Sequence, residues 1–200
     1  MSTTSAIMRI IRTYLDLPKE DRGATIALGN FDGIHCGHQV VIGEAIAIAK
    51  TLEVSSAAMT FDPHPRRFFQ PKTTPFEMTP SDAKSRQLES LGTDIHYAIP
   101  FDRVFSSLDG KAFIENVLVE GLGVRHIVAG YNFVFGKGRK GNVSLLEQCG
   151  TEYGFGVTIV PVVQAEGGKA YSSTVIRSHI QEGRPREAAE LLGRLWEIEG

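Results

Sequence analysis

The sequence predicts an α/β fold built on a doubly wound, parallel, five-stranded sheet. Three observations predict it. Short, nearly continuous apolar runs alternate with stretches that carry apolar residues at helical spacing. The runs lack the strict polar alternation of a half-exposed antiparallel sheet, so they read as strands covered on both faces. The glycines, 21 in 200 residues, gather at the ends of those runs, where the chain must turn.

The elements follow in order. Ala24–Leu28 is the first strand and ends at Gly29. Gly37–Leu52 is a helix, with Val40, Val41, Ala45, Ile48, Ala49 and Leu52 at its spacing. Ser55–Phe61 is the second strand, closed by Pro63, and Pro80–Leu91 is a helix with Thr79 as its expected N-cap. Ile95–Ile99 is the third strand, stopped by Pro100. The stripe Phe113, Ile114, Val117, Leu118 marks a helix over Asp109–Glu120. Arg125–Ala129 is the fourth strand, Ser144–Tyr153 a helix and Val157–Val163 the fifth strand. Two short helices close the chain: Thr174–Glu182, stopped by Gly183, and Pro185–Leu192, stopped by Gly193. Right-handed crossovers give these strands a Rossmann-like winding, with the order 3-2-1-4-5. Ligands of such sheets sit beyond the carboxyl ends of the strands, where strand order reverses. The residues just after Leu28, Phe61, Ile99, Ala129 and Val163 are therefore the candidates for a site.

Composition narrows the function. Lys plus Arg number 21 and Asp plus Glu 23, a net charge of -2, which gives no global reason to bind nucleic acid or an anionic membrane. An apolar content of 42% suits an ordinary core. The whole chain, 1–200, is expected to form a single domain. Cys36 and Cys149 are too few for a disulfide framework or a four-cysteine zinc site, so a reducing cytoplasm is the expected compartment. No run approaches the roughly 18 apolar residues of a membrane span, and the start, MSTTSAIMRIIRTYLDLPKEDRG, lacks the features of a signal peptide.

Four motifs lie at the expected strand ends. The first is Gly29–His38, GNFDGIHCGH. His35 and His38 are three apart, so at a helix start they share a face. Gly37 between them lets a ligand approach the backbone, and free N–H groups there attract phosphate. Two imidazoles can donate to phosphoryl oxygens as charge develops. The same residues also suit a glycine-rich turn with two surface histidines. The second is Thr60–Pro65, TFDPHP, where two prolines fix the backbone around His64; a rigid strand-ending turn is its plainer reading. The third is Gly130–Gly136, GYNFVFG. Tyr131, Phe133 and Phe135 could stack on a flat ring while Asn132 reads polar edges, or the loop could pack on a neighbour. The fourth is Ser172–Arg177, SSTVIR, whose hydroxyls would cap a helix and, with Arg177, hold an anion. Gly136–Gly141 spells G-x-G-x-x-G, but it begins six residues beyond Ala129 and no acid ends the next strand. It reads instead as a basic loop, Lys137–Lys140, able to close over phosphates. The first and third motifs flank the switch point of a 3-2-1-4-5 sheet, so one cleft is expected.

In this order the four motifs resemble the FMN adenylyltransferase module of the prokaryotic bifunctional riboflavin kinase/FMN adenylyltransferase family, over roughly residues 24–200. HxGH alone would mark only the wider nucleotidyltransferase superfamily. The resemblance implies transfer of AMP from ATP to FMN, giving FAD and pyrophosphate, with Mg2+ accompanying ATP. It implies that His35, His38 and Arg177 are catalytic. It places ATP against Gly29, Asn30, Phe31, Gly37, Asn132, Ser173 and Thr174. It places the flavin against Phe61, Pro63, His64, Pro65, Tyr131, Phe133 and Phe135. No residue is singled out as a metal ligand, and Cys36 inside HxGH is expected to be harmless. An FMN phosphate is already an anionic nucleophile, so alignment and charge stabilisation suffice and no strong base is required. Family members usually continue into a kinase barrel with a PTAN motif. Residues 195–200 would lead into it, and the sequence contains no PTAN, so riboflavin phosphorylation by this chain is not expected. Two other readings share these residues: a sister nucleotidyltransferase with another phosphate acceptor, such as phosphopantetheine or nicotinamide mononucleotide, and a non-catalytic flavin- or nucleotide-binding remnant of a bifunctional enzyme.

Overall fold

Central strands whose every residue is shielded from water need apolar side chains on both faces, and the sheet bears this out. In the computed structural model, which describes residues 7–72, 77–164 and 171–196, the strands form a parallel sheet in the order β1-β4-β3-β2-β5-β6. They are β1 (Arg9–Ile11), β2 (Thr25–Leu28), β3 (Ser56–Asp62), β4 (Ile95–Pro100), β5 (His126–Gly130) and β6 (Gly156–Val160). All of β2 and all but the last residue of β3 are buried. Thr25 pairs with both Ser56 and His126, so β2 lies at the centre.

The expected order 3-2-1-4-5 is present as β4-β3-β2-β5-β6, but the sheet has a sixth strand. Arg9–Ile11 pairs with Ile95–Tyr97 at the edge. Only three residues long, with Ile10 exposed and Arg9 ion-paired to Asp21, it carries no apolar run to betray it. Residues 1–6, at the head of the N-terminal stretch, and 197–200, within the expected lead into a further domain, lie outside the described residues.

Side chains alternate across each strand and build two layers. Ile26 and Leu28, Ala57, Met59 and Phe61, and Ile127 and Ala129 face one layer. There they meet α4 (Arg103–Ser107) through Phe105, α6 (Val143–Tyr153) through Leu146 and Cys149, and the helix through Phe113–Gly121. Ala27, Ala58 and Val128 face the other layer, against Val41, Ile42 and Ala45 of α1 (Cys36–Leu52) and Leu88 of α3 (Ser81–Ser90). Alanines beneath α1 let that helix lie close to the sheet.

The helix expected over Asp109–Glu120 is a short α5 (Gly110–Ala112) continuing as a π-helix, Phe113–Gly121. Its stripe of Phe113, Ile114, Val117 and Leu118 is buried as the spacing predicts. Two five-residue helices carry no sequence period long enough to read: α2 (Pro65–Phe69) and α4. Thr79 is not the cap of α3. Pro80 holds that position, and the backbone N–H of Thr79 donates instead to Asp32. Helices α7 (Ser173–Gln181) and α8 (Pro185–Leu192) bury Ile176, Ala188 and Leu192 against Met78 and Trp196. Among the described residues no helix is long and apolar enough to cross a membrane.

Candidate active site

Strand order reverses between β2 and β5, and a cavity of about 330 Å³ opens beyond their carboxyl ends. Both loops named by the sequence wall it: Gly29, Asn30, Phe31 and His38 from one side, Asn132 and Phe133 from the other. His64, Ser173 and Arg177 complete the wall on the side of α2 and α7. Its size falls within the range of small-molecule sites.

The loop after β2 is folded inward. Phe31 and Ile34 are buried, although both take positive φ, +48° and +38°. Burial of the two apolar side chains draws the loop down and raises His35 and His38 at the start of α1. His35 is the N-cap residue: its Nδ1 accepts the His38 N–H at 3.2 Å. That bond requires an unprotonated Nδ1, so the proton of the neutral ring sits on Nε2. His35 and His38 stack at 3.6 Å between centroids, and Tyr171 lies beyond His35. His38 therefore faces the cavity while His35 supports it from behind. A Cβ at position 37 would lie 3.1 Å from Tyr171 Cβ and 3.3 Å from the His35 ring, so any side chain there would press these neighbours back by a few tenths of an ångström.

Burial keeps these rings neutral. It pulls His35 down to about 4 and His38 well below its ordinary value, the latter helped by His35 and Lys84. His64 repeats the device: its Nδ1 accepts the Arg66 N–H at 3.1 Å, and burial lowers it to about 4. Neutral rings of this kind carry one N–H that can donate.

Asp32, which the motif reading passed over, is the hub of the site. It is 2% exposed. Its Oδ1 accepts the N–H groups of Met78 and Thr79 at 2.8 and 3.2 Å, and its Oδ2 pairs with Arg177 at 3.1 Å. Its carbonyl accepts the Ser173 hydroxyl at 3.0 Å. The serines of SSTVIR therefore do not cap α7, as Ser172 makes no cap bond and Ser173 bonds to the loop. Lys84, 3% exposed, was also unforeseen; burial lowers its pKa against the opposing pull of Asp32, Glu77 and Asp62. Arg139 of the Lys137–Lys140 loop reaches the cavity wall, at φ +57°. A lone Asp between Phe31 and Gly33 in an apolar loop was the available signal for the hub. Asn30 Oδ1 and His38 Nδ1 are buried without a hydrogen-bond partner among the described residues.

Other expected contacts fall elsewhere. Phe61 and Phe135 are core residues, packed on Phe105 and Phe113 because their strand or loop positions point inward. Phe133 stacks on Phe135 at 5.5 Å and keeps one side on the cavity. Tyr131, Pro63 and Thr174 are exposed, and Pro65 starts α2; none of the four walls the cavity.

The lowered histidines make stability depend on pH. His96 is fully buried, its Nδ1 bonded to the Ser85 hydroxyl at 2.9 Å and its Nε2 to Thr60 at 2.8 Å, and it too is pulled down to about 4. The unfolded chain binds these protons near pH 6.5 and the folded chain only near 4, so stability falls as pH drops through that window. Each such buried ring costs roughly 1.4 kcal/mol per pH unit there. Urea midpoints at pH 7, 6 and 5 should fall steadily, and His96→Gln should flatten the slope; a flat wild-type profile contradicts this.

The comparisons agree with the geometry. The sequence profile of the FAD synthetase family matches residues 17–175. The bifunctional riboflavin kinase/FMN adenylyltransferase of Buchnera aphidicola subsp. Schizaphis graminum is 34% identical over 193 residues, covering 96% of this chain and 62% of its own length. That of Bacillus subtilis is 38% identical over 185 residues, covering 92% and 58%. The chain thus spans less than two thirds of the length of these relatives. Among solved structures, a Streptococcus pneumoniae protein named as a macrolide-efflux protein superposes with TM-score 0.79 at 29% identity, over 94% of this chain and 60% of that one. With four motifs in order, a family profile matching residues 17–175 and curated relatives at 34–38% identity, the chain belongs to the FAD synthetase family.

Proposed function

We propose that this chain transfers AMP from ATP to FMN, releasing pyrophosphate and forming FAD. The observation that carries the reading is the cavity at the switch point, walled by His38 and Asn30 on one side and Asn132 and Phe133 on the other, with Arg177 across it. An FMN phosphate oxygen attacks the α-phosphorus of ATP. The bond from the α-phosphorus to the bridging oxygen breaks, and pyrophosphate leaves with that electron pair. His38, a neutral donor, and Arg177 stabilise the charge that builds on the phosphoryl oxygens. His35 fixes the tautomer and tilt of this pair from behind. Ser173 and Asp32 hold Arg177 in place, and Arg139 is suited to the departing pyrophosphate. Phe133 offers a face to the flavin and Asn132 an amide to a ring edge. Among the described residues no three carboxylate, histidine or cysteine side chains gather as a metal cage. Mg2+ would accordingly be held chiefly by the phosphates of ATP and would neutralise their charge. A reducing cytoplasm is the proposed compartment, since Cys36 and Cys149 are both free thiols.

The test is FAD formation from ATP, FMN and Mg2+, followed by chromatography. Riboflavin, which lacks the phosphate nucleophile, is the control and should give no FAD. Phosphopantetheine and nicotinamide mononucleotide are the alternative acceptors. Pyrophosphate released with one of these and not with FMN would move the chain to a sister activity. Binding without turnover would make it a non-catalytic binder. Phe133→Ala should weaken FMN binding by about tenfold, as loss of one stacking face costs roughly 1–2 kcal/mol. Flavin fluorescence quenching reads this, and unchanged affinity would assign Phe133 to packing on Phe135.

A further inference from the structure

Just past α8, outside the cavity, the chain folds back beneath the loop that carries HxGH. Arg194 Nη2 donates to the Gly33 carbonyl at 2.8 Å and to Gln87 Oε1 of α3 at 2.7 Å, and its Nη1 reaches the Ile34 carbonyl at 3.4 Å. Gln39 of α1 donates to the same Ile34 carbonyl at 3.0 Å and to the Leu192 carbonyl at 3.2 Å. Trp196 Nε1 donates to the carbonyl of Met78, whose N–H is held by Asp32. Gly193, at φ +72°, sits where a Cβ would be 2.9 Å from Cys36 Sγ, at the first residue of α1. Packing and hydrogen bonds thus join the segment after α8 to the end of the loop that enters α1, and through Met78 to the partner of Asp32.

The clasped residues are those that most need holding. Gly33 has φ +87°, and Ile34, a β-branched residue, has φ +38°, a region such residues rarely occupy. A backbone of this kind persists where its surroundings over-determine it, and such places cluster at functional sites. The Ile34 peptide is followed directly by His35, whose ring caps α1, and then by His38. Rotation of that peptide would swing both rings and the first N–H groups of the helix.

We propose that Arg194 is a positioning residue for the adenylyl transfer: its guanidinium pins the left-handed Gly33–Ile34 backbone to α3 and thereby sets the placement of His35 and His38. A planar fork is required, because one group must serve two adjacent carbonyls and a side-chain amide at once. A lysine ammonium would keep the charge without that geometry. Misplacement of reacting groups by about 1 Å is enough to cost on the order of a hundredfold in rate.

The rate arm of the test rests on the activity proposed above; the exchange arm does not. Arg194→Ala should lower kcat for FAD formation by about 10–100-fold, with the KM for FMN within about twofold. Arg194→Lys should remain within about threefold of the alanine variant, and free guanidinium ion at tens of millimolar should restore part of the rate to R194A. Hydrogen exchange of the unliganded protein should show the amides of residues 33–39 opening at least about tenfold faster in R194A, with those of β5 and α6 unchanged. Gln87→Met, which removes only the anchor on α3, should give the same pattern at smaller size. Unchanged exchange over residues 33–39 overturns the proposal, whether or not the chain makes FAD. Full activity in Arg194→Lys overturns it too, since charge alone would then suffice. Exchange raised evenly across β5 and α6 would reduce Arg194 to a general stabilising role. If the wild-type chain forms no FAD, the proposed activity fails by itself and the exchange measurement still decides the role of Arg194.

Discussion

Replacing His38 with alanine is expected to lower the rate of FAD formation by about 10²–10³-fold while leaving FMN affinity within about twofold. The ring stands on the cavity wall, backed by His35 at 3.6 Å and edge-on to Phe31 at 5.3 Å, so its orientation is set before any substrate arrives. Burial keeps it neutral at pH 7, and in the proposed reaction it would offer an N–H to a phosphoryl oxygen. Such a contact strengthens as charge accumulates, so its loss falls on the transition state rather than on the bound substrates. Steady-state kinetics with FMN binding measured separately will show this. Equal losses of rate and affinity would make His38 a binding residue, and an unaltered rate would remove it from the chemistry.

Replacing Asp32 with alanine is expected to destabilise the fold by about 3–5 kcal/mol, the range found when one partner of a buried ion pair is removed. Three groups lose their acceptor at once: the N–H groups of Met78 and Thr79, and the Arg177 guanidinium, whose side chain is only 16% exposed. The two backbone N–H groups are buried and cannot turn to water without shifting the segment before α3. Removing Arg177 as well should recover part of the loss, because the guanidinium that faced the Asp32 carboxylate is then absent too. Urea unfolding at constant m-value is the measurement. A D32A midpoint equal to the wild type, or a double variant no more stable than D32A, would contradict the account.

The sequence was legible where burial was complete. β2 to β5 are walled on both sides, so each leaves a nearly continuous apolar run, and alternation then decides which residues meet which layer. β1 was illegible because a three-residue edge strand buries little more than Ile11 and leaves Ile10 in water. The π-helical turn at Phe113–Gly121 was illegible for another reason: it changes the hydrogen-bond partner without changing which side chains are apolar. The site divides similarly. His38, Asn132 and Arg177 sit in motifs that the sequence already marks at strand ends or helix starts, and all three wall the cavity. Asp32 takes its meaning from N–H groups 46 and 47 residues away, and no local pattern contains them. The aromatic loop shows the limit of composition. Phe133 and Phe135 are equivalent as letters, yet a two-residue step turns one to the cavity and the other onto Phe113.

Ala27 and Ala58, noted above only as small residues under α1, have a consequence for how this protein tolerates change. They act as thin shims beneath the helix that carries His38. Each added methyl group there would press on the underside of that helix, whose first turn carries His38. The tolerances of the floor are thus those of the reaction, not merely those of the fold. A valine in this layer could leave a well-folded protein whose imidazole stands at the wrong height.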